Sequence, residues 1–258
     1  MNGKAMDGEV PIHSLDRAGT AIAYRRSPGL GPGLVFLTGF RSDMGGGKAV
    51  ALERWARERG RSFVRFDYHA HGASGGNWVE GSIGRWRDDA LAVLDQVTQG
   101  PQILVGSSMG GWIALLLALA RPDRVAGLFG IAPAPDFTER MIRPRLGLAE
   151  WRALESDGQF IAPSAYDPAG YPITRHLLEE ARDHLLLTTG GPIPISCPVR
   201  LLHGQRDPDI PWQTSLDLAA ALESDDVRVT LVKDGDHRLS RDADLALMLR
   251  LVGELAVA

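Results

Sequence analysis

The chain has 258 residues, 44% of them hydrophobic, a formal net charge of −4 and a pI near 6.0. That is length for one large domain, or one domain with an insertion, and enough apolar residues for a sizeable core. The acidic balance excludes the basic surface that nucleic acid demands, and three lysines (Lys4, Lys48, Lys233) among 28 basic residues mark a compositional bias rather than a binding signal.

The amino end, MNGKAMDGEV, holds neither an apolar signal core nor an Arg-rich, Ser-rich transit pattern, so the sequence reads as cytoplasmic. Residues 12–26 pattern as an edge hairpin with a turn near Gly19. GLVFLTG (33–39) is a short buried strand, KAVALERWARERG a helix ending at Gly60, and FVRFDY (63–68) the next strand, followed by the Gly-rich loop HAHGASGGNW. GRWRDDALAVLDQVTQG (84–100) carries apolar residues at helical spacing: Trp86, Ala90, Val93, Leu94 and Val97. PQILVG (101–106) is a strand, MGGWIALLLALA a helix and RVAGLFGIA (124–132) a strand. The longest apolar run, Trp112 to Ala120, is too short to span a bilayer, so no stable membrane insertion is expected.

The alternation then breaks. Residues 135–192 contain no obvious buried strand, only amphipathic pieces (FTERMIRPRL, LAEWRALESD, ITRHLLEEARDHLLL) between Pro and Gly. It resumes with VRLLHG (199–204), WQTSLDLAAALES, VRVTLVKD and LALMLRLVGELA. Strands that are continuous apolar runs, alternating with helices, belong to a mostly parallel sheet covered on both faces. Residues 1–134 and 193–258 therefore read as one α/β core, and 135–192 as a helical cap inserted between two of its strands. The lone cysteine, Cys197, precludes an intrachain disulfide and reads as a small buried thiol.

Chemistry concentrates at Gly106-Ser107-Ser108-Met109-Gly110-Gly111, the seam between a strand and a helix. A serine hydroxyl becomes a nucleophile only when a base takes its proton and the chain presents it to substrate. A sharp strand-to-helix turn pushes one side chain out, and demands tiny residues two before and two after it, where strand and helix nearly touch. Ser108 has Gly106 and Gly110 in those places, whereas Ser107 has Val105 and Met109, so Ser108 is the candidate nucleophile. The N–H of Met109, opening the helix, is aimed at a developing oxyanion. A second donor comes from the loop after the 33–39 strand, and the backbone N–H of Phe40 is assigned by position.

The acid and base follow downstream. Asp207 leaves the 199–204 strand in HGQRDPDIP, and His237 follows the last strand in KDGDHRLS. The chain order Ser108, Asp207, His237 makes His237 the general base and Asp207 the carboxylate that fixes its tautomer, with Asp209 and Asp236 as alternative acids. His203 shapes the loop. His69 and His71 with Asp67 suggest a metal set but lack a fourth ligand, so they are read as structural or pocket-rim residues. Trp112 reads as core, and Arg140, Arg143 and Arg145 as a solvated face, with a grip on an anionic substrate as the sharper alternative.

The layout resembles the α/β-hydrolase superfamily with 135–192 as its cap. More narrowly, LTGFRSDMGGGKAVALE, RFDYHAHGASGG, GRWRDDALAVLDQV, GPQILVGSSMGGW, PIPISCPVRLLHGQRDPDIPW and GDHRLSRDADL resemble the mitochondrial palmitoyl-protein thioesterase, or acyl-glucuronide esterase, type. The resemblance runs from about residue 33 to 250 and is weaker in the cap. It implies hydrolysis of acyl esters and thioesters by Ser108, Asp207 and His237, a small-molecule or acylated substrate, and no metal or organic cofactor. Two other readings stand beside it. An aminopeptidase of the same fold would recognise a free amine through acidic residues such as Glu150, Glu155, Glu179 and Glu180; a non-enzymatic receptor would keep the pocket without the reaction. Substrate choice, acyl length and oligomeric state stay open at this level.

Overall fold

The computed structural model describes residues 10–164 and 167–256. Its centre is an eight-stranded sheet in the order β1-β2-β4-β3-β5-β6-β9-β10, built from β1 (His13–Arg17), β2 (Thr20–Ser27), β3 (Leu30–Leu37), β4 (Arg61–Phe66), β5 (Gln102–Ser107), β6 (Val125–Ile131), β9 (Val199–Gly204) and β10 (Val227–Val232). The β1–β2 hairpin is antiparallel and β2 runs antiparallel to β4; every other pairing is parallel. Parallel strands need crossovers, and helices α1 (Gly47–Glu58), α2 (Ile83–Val97), α3 (Met109–Ala120), α6 (Gln213–Ala221) and α7 (Asp242–Ala256) cover both faces of the sheet.

The two-residue period of a strand divides the core. Leu34 and Phe36 face α1 and α7, packing with Leu52, Trp55, Met248 and Leu251, while Val35 and Leu37 face the layer of α2 and α3. Helix α3 is apolar all round because it is enclosed on every side, and Trp112 is fully buried there with its indole N–H donating to the carbonyl of His184 at 3.0 Å. Each fully buried side chain of this size contributes roughly 1.5–3 kcal/mol.

The segment between β6 and β9 is not wholly helical. Besides one wide turn of helix at Thr138–Ile142, α4 (Leu148–Ser156) and α5 (Arg175–Glu180), it carries an antiparallel ribbon of β7 (Gln159–Ala162) and β8 (Tyr171–Thr174). These strands escape a sequence reading because they are four residues long and only half-buried, and Pro172 interrupts the pattern. The carboxylate of Asp136 joins the two ends of the segment: it accepts the N–H groups of Leu186 (2.8 Å), Leu187 (2.7 Å) and Thr188 (2.7 Å). No helix among the described residues is long and apolar enough to cross a membrane.

Candidate active site

Strands β3, β5, β9 and β10 run in one direction, so the loops at their carboxyl ends gather on one edge of the sheet. Those loops carry Phe40, Ser108, Asp207 and His237.

Ser108 follows β5 directly and sits at φ 54, ψ −120, a strained conformation for a residue with a Cβ. The packing around it explains its neighbours. A Cβ on Gly106 would stand 2.3 Å from the carbonyl oxygen of Gly110, and one on Gly110 would stand 2.1 Å from that of Leu37. Backbone therefore touches backbone on both sides of the elbow, and the Ser108 side chain is turned outward. Its own N–H donates to Ile131 at 2.9 Å and its carbonyl accepts from Ala134 at 3.1 Å, which clamps the turn to the end of β6.

The loop after β10 brings His237 back across the end of β9. This requires close backbone approach, since a Cβ on Gly204 would lie 2.3 Å from the carbonyl oxygen of Gly235, and the N–H of Arg206 donates to that oxygen at 2.9 Å. His237 Nε2 then lies 3.1 Å from Ser108 Oγ, and Nδ1 lies 2.6 Å from Asp207 Oδ2. A carboxylate can only accept, so Nδ1 carries the hydrogen and the lone pair of Nε2 faces the serine hydroxyl.

The side chain of Asp207 is buried and held by four donors. Oδ1 accepts the N–H groups of Asp209 (2.8 Å) and Ile210 (2.9 Å), and Oδ2 accepts from His237 and from His203 Nε2 at 3.1 Å. Burial pushes its pKa up, but the hydrogen bonds from His203 and His237, the charge attraction of His237 and the Ile210 N–H outweigh it and hold the carboxyl well below the usual carboxylate range. Of the alternative acids, Asp236 Oδ1 accepts the N–H of Leu239 at 2.9 Å, while Asp209 donates its own N–H to Asp207 at 2.8 Å and keeps its carboxylate within 4.8 Å of Asp207 and His237. His203 lies beneath the carboxylate, its Nε2 shared with the Ile210 carbonyl at 3.2 Å and its Nδ1 2.7 Å from Ser215 Oγ.

Phe40 belongs to the turn Gly39–Ser42, and its ring packs between the core and the 135–192 segment, against Trp78, Trp86, Phe137 and Tyr171 at centroid distances of 5.2–5.9 Å. Met109 is the first residue of α3, so its N–H lies ahead of the intrahelical ladder.

The histidines of the loop after β4 do not converge as metal ligands. His69 Nε2 faces the Asn77 carbonyl at 3.1 Å, and His71 Nδ1 faces that of His69 at 3.0 Å. Burial, with the nearby charges of Arg41 and His69, outweighs the hydrogen bond to the His69 carbonyl and lowers the His71 pKa to about 4. Among the described residues, the one close group of three potential ligands is Asp207, Asp209 and His237, two of which already belong to the relay. Two of the three arginines singled out in the 135–192 segment are engaged with acids, Arg140 with Asp217 at 2.6 Å and Arg143 with Glu139 at 2.5 Å, and Arg145 is exposed. Two surface hollows of about 400 and 690 Å³, beside α5 and α1, are lined by neither Ser108 nor His237. His71 and Asp136 are the residues that sequence reasoning left without a specific role, and neither sits at a motif spacing that would single it out.

The comparisons agree with this architecture. The model of the serine aminopeptidase S33 family of hydrolases matches residues 34–159. The mouse (Mus musculus) protein named palmitoyl-protein thioesterase ABHD10, mitochondrial, is 45% identical over 235 residues, covering 91% of this chain and 78% of its own. The solved structure of mouse alpha/beta hydrolase domain-containing protein 10 superposes with a TM-score of 0.87 at 43% identity, covering 95% of this chain and 98% of that one. A putative hydrolase from Agrobacterium vitis S4 superposes with a TM-score of 0.92 at 40% identity, covering 96% and 100%.

One expectation is overturned. The mammalian relatives at 40–45% identity are all named mitochondrial, so the cytoplasmic setting read from the sequence does not stand. That reading leaned on the amino-terminal segment and on the missing disulfide, and a compartment address is read by a receptor outside the fold, leaving no mark on the packed domain. With 45% identity over most of both chains, and the same fold in the solved relative, the chain is an α/β-hydrolase and belongs to the ABHD10 palmitoyl-protein thioesterase family.

Proposed function

We propose that the protein hydrolyses acyl thioesters, and carboxylic esters with them, through an acyl-enzyme formed on Ser108. The observation that carries this reading is the chain of contacts from Ser108 Oγ through His237 to Asp207, at 3.1 and 2.6 Å. The thioester preference comes from the printed name of the mouse relative.

In the first step Ser108 Oγ attacks the acyl carbon and its proton passes to His237 Nε2. Asp207, held anionic by its four donors, stabilises the imidazolium and keeps the ring from rotating. The carbonyl oxygen becomes an oxyanion and accepts from the N–H groups of Met109 and Phe40. Collapse breaks the bond from acyl carbon to sulfur or oxygen, and the leaving thiol or alcohol takes the proton from His237. Water then adds to the acyl-enzyme by the same route, giving the carboxylic acid and free Ser108. Residues 135–192 serve as the lid over this site.

The amine-recognising alternative has less behind it. Glu150 accepts the N–H of Gly147 at 3.0 Å, and Glu180 accepts that of Gly84 at 3.0 Å and contacts His184 at 2.9 Å, so two of its four candidate acids are committed elsewhere. The test is a Ser108→Ala variant assayed on a short p-nitrophenyl ester and a matched acyl thioester. Turnover falls to background in both, and labelling by a fluorophosphonate disappears. Rates near wild type would end the proposal, and an unreactive Ser108 in the parent chain would favour a receptor.

A further inference from the structure

The loop that carries Phe40 lacks regular structure to hold it. Gly39–Ser42 form a four-residue turn closed by the Ser42 N–H on the Gly39 carbonyl at 3.1 Å, and the third residue, Arg41, sits at φ 58. Turns of this type favour glycine at that position, so the arginine is held there against its preference. Its guanidinium lies over the Trp78 ring at 4.8 Å and beside Asp167 at 3.9 Å, and its backbone is held by a separate contact: the Arg41 N–H donates to Nε2 of His71 at 3.3 Å.

The opposite side of that ring is equally committed. The carbonyl of His69 lies 3.0 Å from His71 Nδ1 and can only accept, so Nδ1 carries the hydrogen and Nε2 presents a lone pair. His71 is 3% exposed, with Tyr68 and Trp86 edge-on at 5.6 and 5.2 Å and Trp78 tilted at 5.2 Å. Its pKa near 4 keeps the ring neutral, as the donation from Arg41 requires. The far end of the same loop is tied separately, by the Met44 N–H on Asp67 Oδ1 at 2.6 Å. Through its Nε2, His71 therefore acts on the turn and not on the far end of the loop. Releasing it frees the peptide plane between Phe40 and Arg41 to flip, which relaxes Arg41 to negative φ and moves Phe40 with it.

We propose that His71 is a positioning residue for acyl transfer: its Nε2 lone pair grips the Arg41 N–H and so holds the turn that aims the Phe40 N–H at the oxyanion. This rests on the reading of Phe40 as an oxyanion donor, and the experiment separates the two. Four variants of the full chain are needed. His71→Phe keeps the aromatic contacts and removes the acceptor. His71→Gln places a carbonyl oxygen where Nε2 stood. Incorporating 3-phenyllactic acid at position 40 turns the Phe40 N–H into an ester oxygen and keeps the ring. The α-hydroxy analogue of arginine at position 41 removes only the donated N–H, and serves if His71→Phe does not fold. Each is assayed for kcat and KM on a p-nitrophenyl ester and for affinity toward a trifluoromethyl ketone, whose adduct mimics the oxyanion.

The position-40 ester is expected to lose about 10²-fold in kcat, the scale of one oxyanion donor. His71→Phe and the position-41 ester lose about tenfold in kcat and in ketone affinity with KM little changed, a fraction of that donor's effect. His71→Gln recovers most of the loss. If the position-40 ester is impaired while His71→Phe and the position-41 ester turn over like wild type, the proposal falls and the donor reading stands. If the position-40 ester keeps wild-type kcat, the donor reading falls and takes the proposal with it.

Discussion

Asp136→Asn tests whether the two ends of the 135–192 segment are clasped by one carboxylate. The residue is fully buried, and its two oxygens receive three N–H groups: Leu186 on Oδ1, Leu187 and Thr188 on Oδ2. Asparagine tolerates the backbone conformation of Asp136, φ 58, as well as aspartate does, so the change is confined to the side chain. An amide has one acceptor oxygen and one NH₂. Its better orientation keeps the oxygen on Leu187 and Thr188 and turns the NH₂ toward the Leu186 N–H, donor against donor. One charge-assisted bond is lost and its N–H is left unsatisfied, which costs about 2 kcal/mol, and weakening of the other two to neutral bonds adds about 1 kcal/mol. A loss of about 3 kcal/mol corresponds to roughly a 10²-fold rise in local opening. Hydrogen exchange read by mass spectrometry should therefore show Leu186–Thr188 exchanging about 10²-fold faster, with a lower urea midpoint. Unchanged protection of those amides, with an unfolding free energy within about 0.5 kcal/mol of wild type, would refute the clasp.

Two further outcomes follow from other contacts. Gly110→Ala places a methyl group 2.1 Å from the Leu37 carbonyl oxygen, where backbone must move; it should destabilise the fold by roughly 3 kcal/mol and depress kcat by displacing Ser108, and a variant with wild-type melting temperature and kcat would contradict the elbow packing. His71, with its pKa lowered by burial from 6.5 to about 4, is neutral in the folded and unfolded chain above pH 6.5 and contributes nothing there. Between pH 6.5 and 4 the unfolded chain binds a proton that the folded chain refuses, so stability falls with pH, by roughly 3 kcal/mol at about 1.4 kcal/mol per unit. The difference in unfolding free energy between wild type and His71→Phe should therefore slope over that range, and a flat difference would mean that the imidazole is solvated.

The order of elements, the elbow and the residues that meet there were legible because each leaves a local mark. Continuous apolar strands mark a buried sheet, and glycines two before and two after Ser108 mark a place where backbone must touch backbone. The ribbon of β7 and β8 left no such mark, being short, half-exposed and interrupted by Pro172. His71 and Asp136 were opaque for a different reason. Their partners, Arg41 for one and Leu186–Thr188 for the other, are distant in the chain, and backbone N–H groups carry no residue identity that a sequence pattern can display.

The amino-acid sequence by itself determined the alternation of strands and helices and the one serine that steric need leaves at the head of α3, since these follow from side-chain periodicity and size over a few residues. The tertiary structure alone decided that Asp207 meets His237 Nδ1 at 2.6 Å while Asp236 turns to the Leu239 N–H, that His69 and His71 go to backbone groups rather than to a shared ligand, and that one carboxylate clasps both ends of the inserted segment. A hydrogen bond is decided by direction over about 3 Å, and only the folded chain sets direction between groups that the sequence holds tens of residues apart.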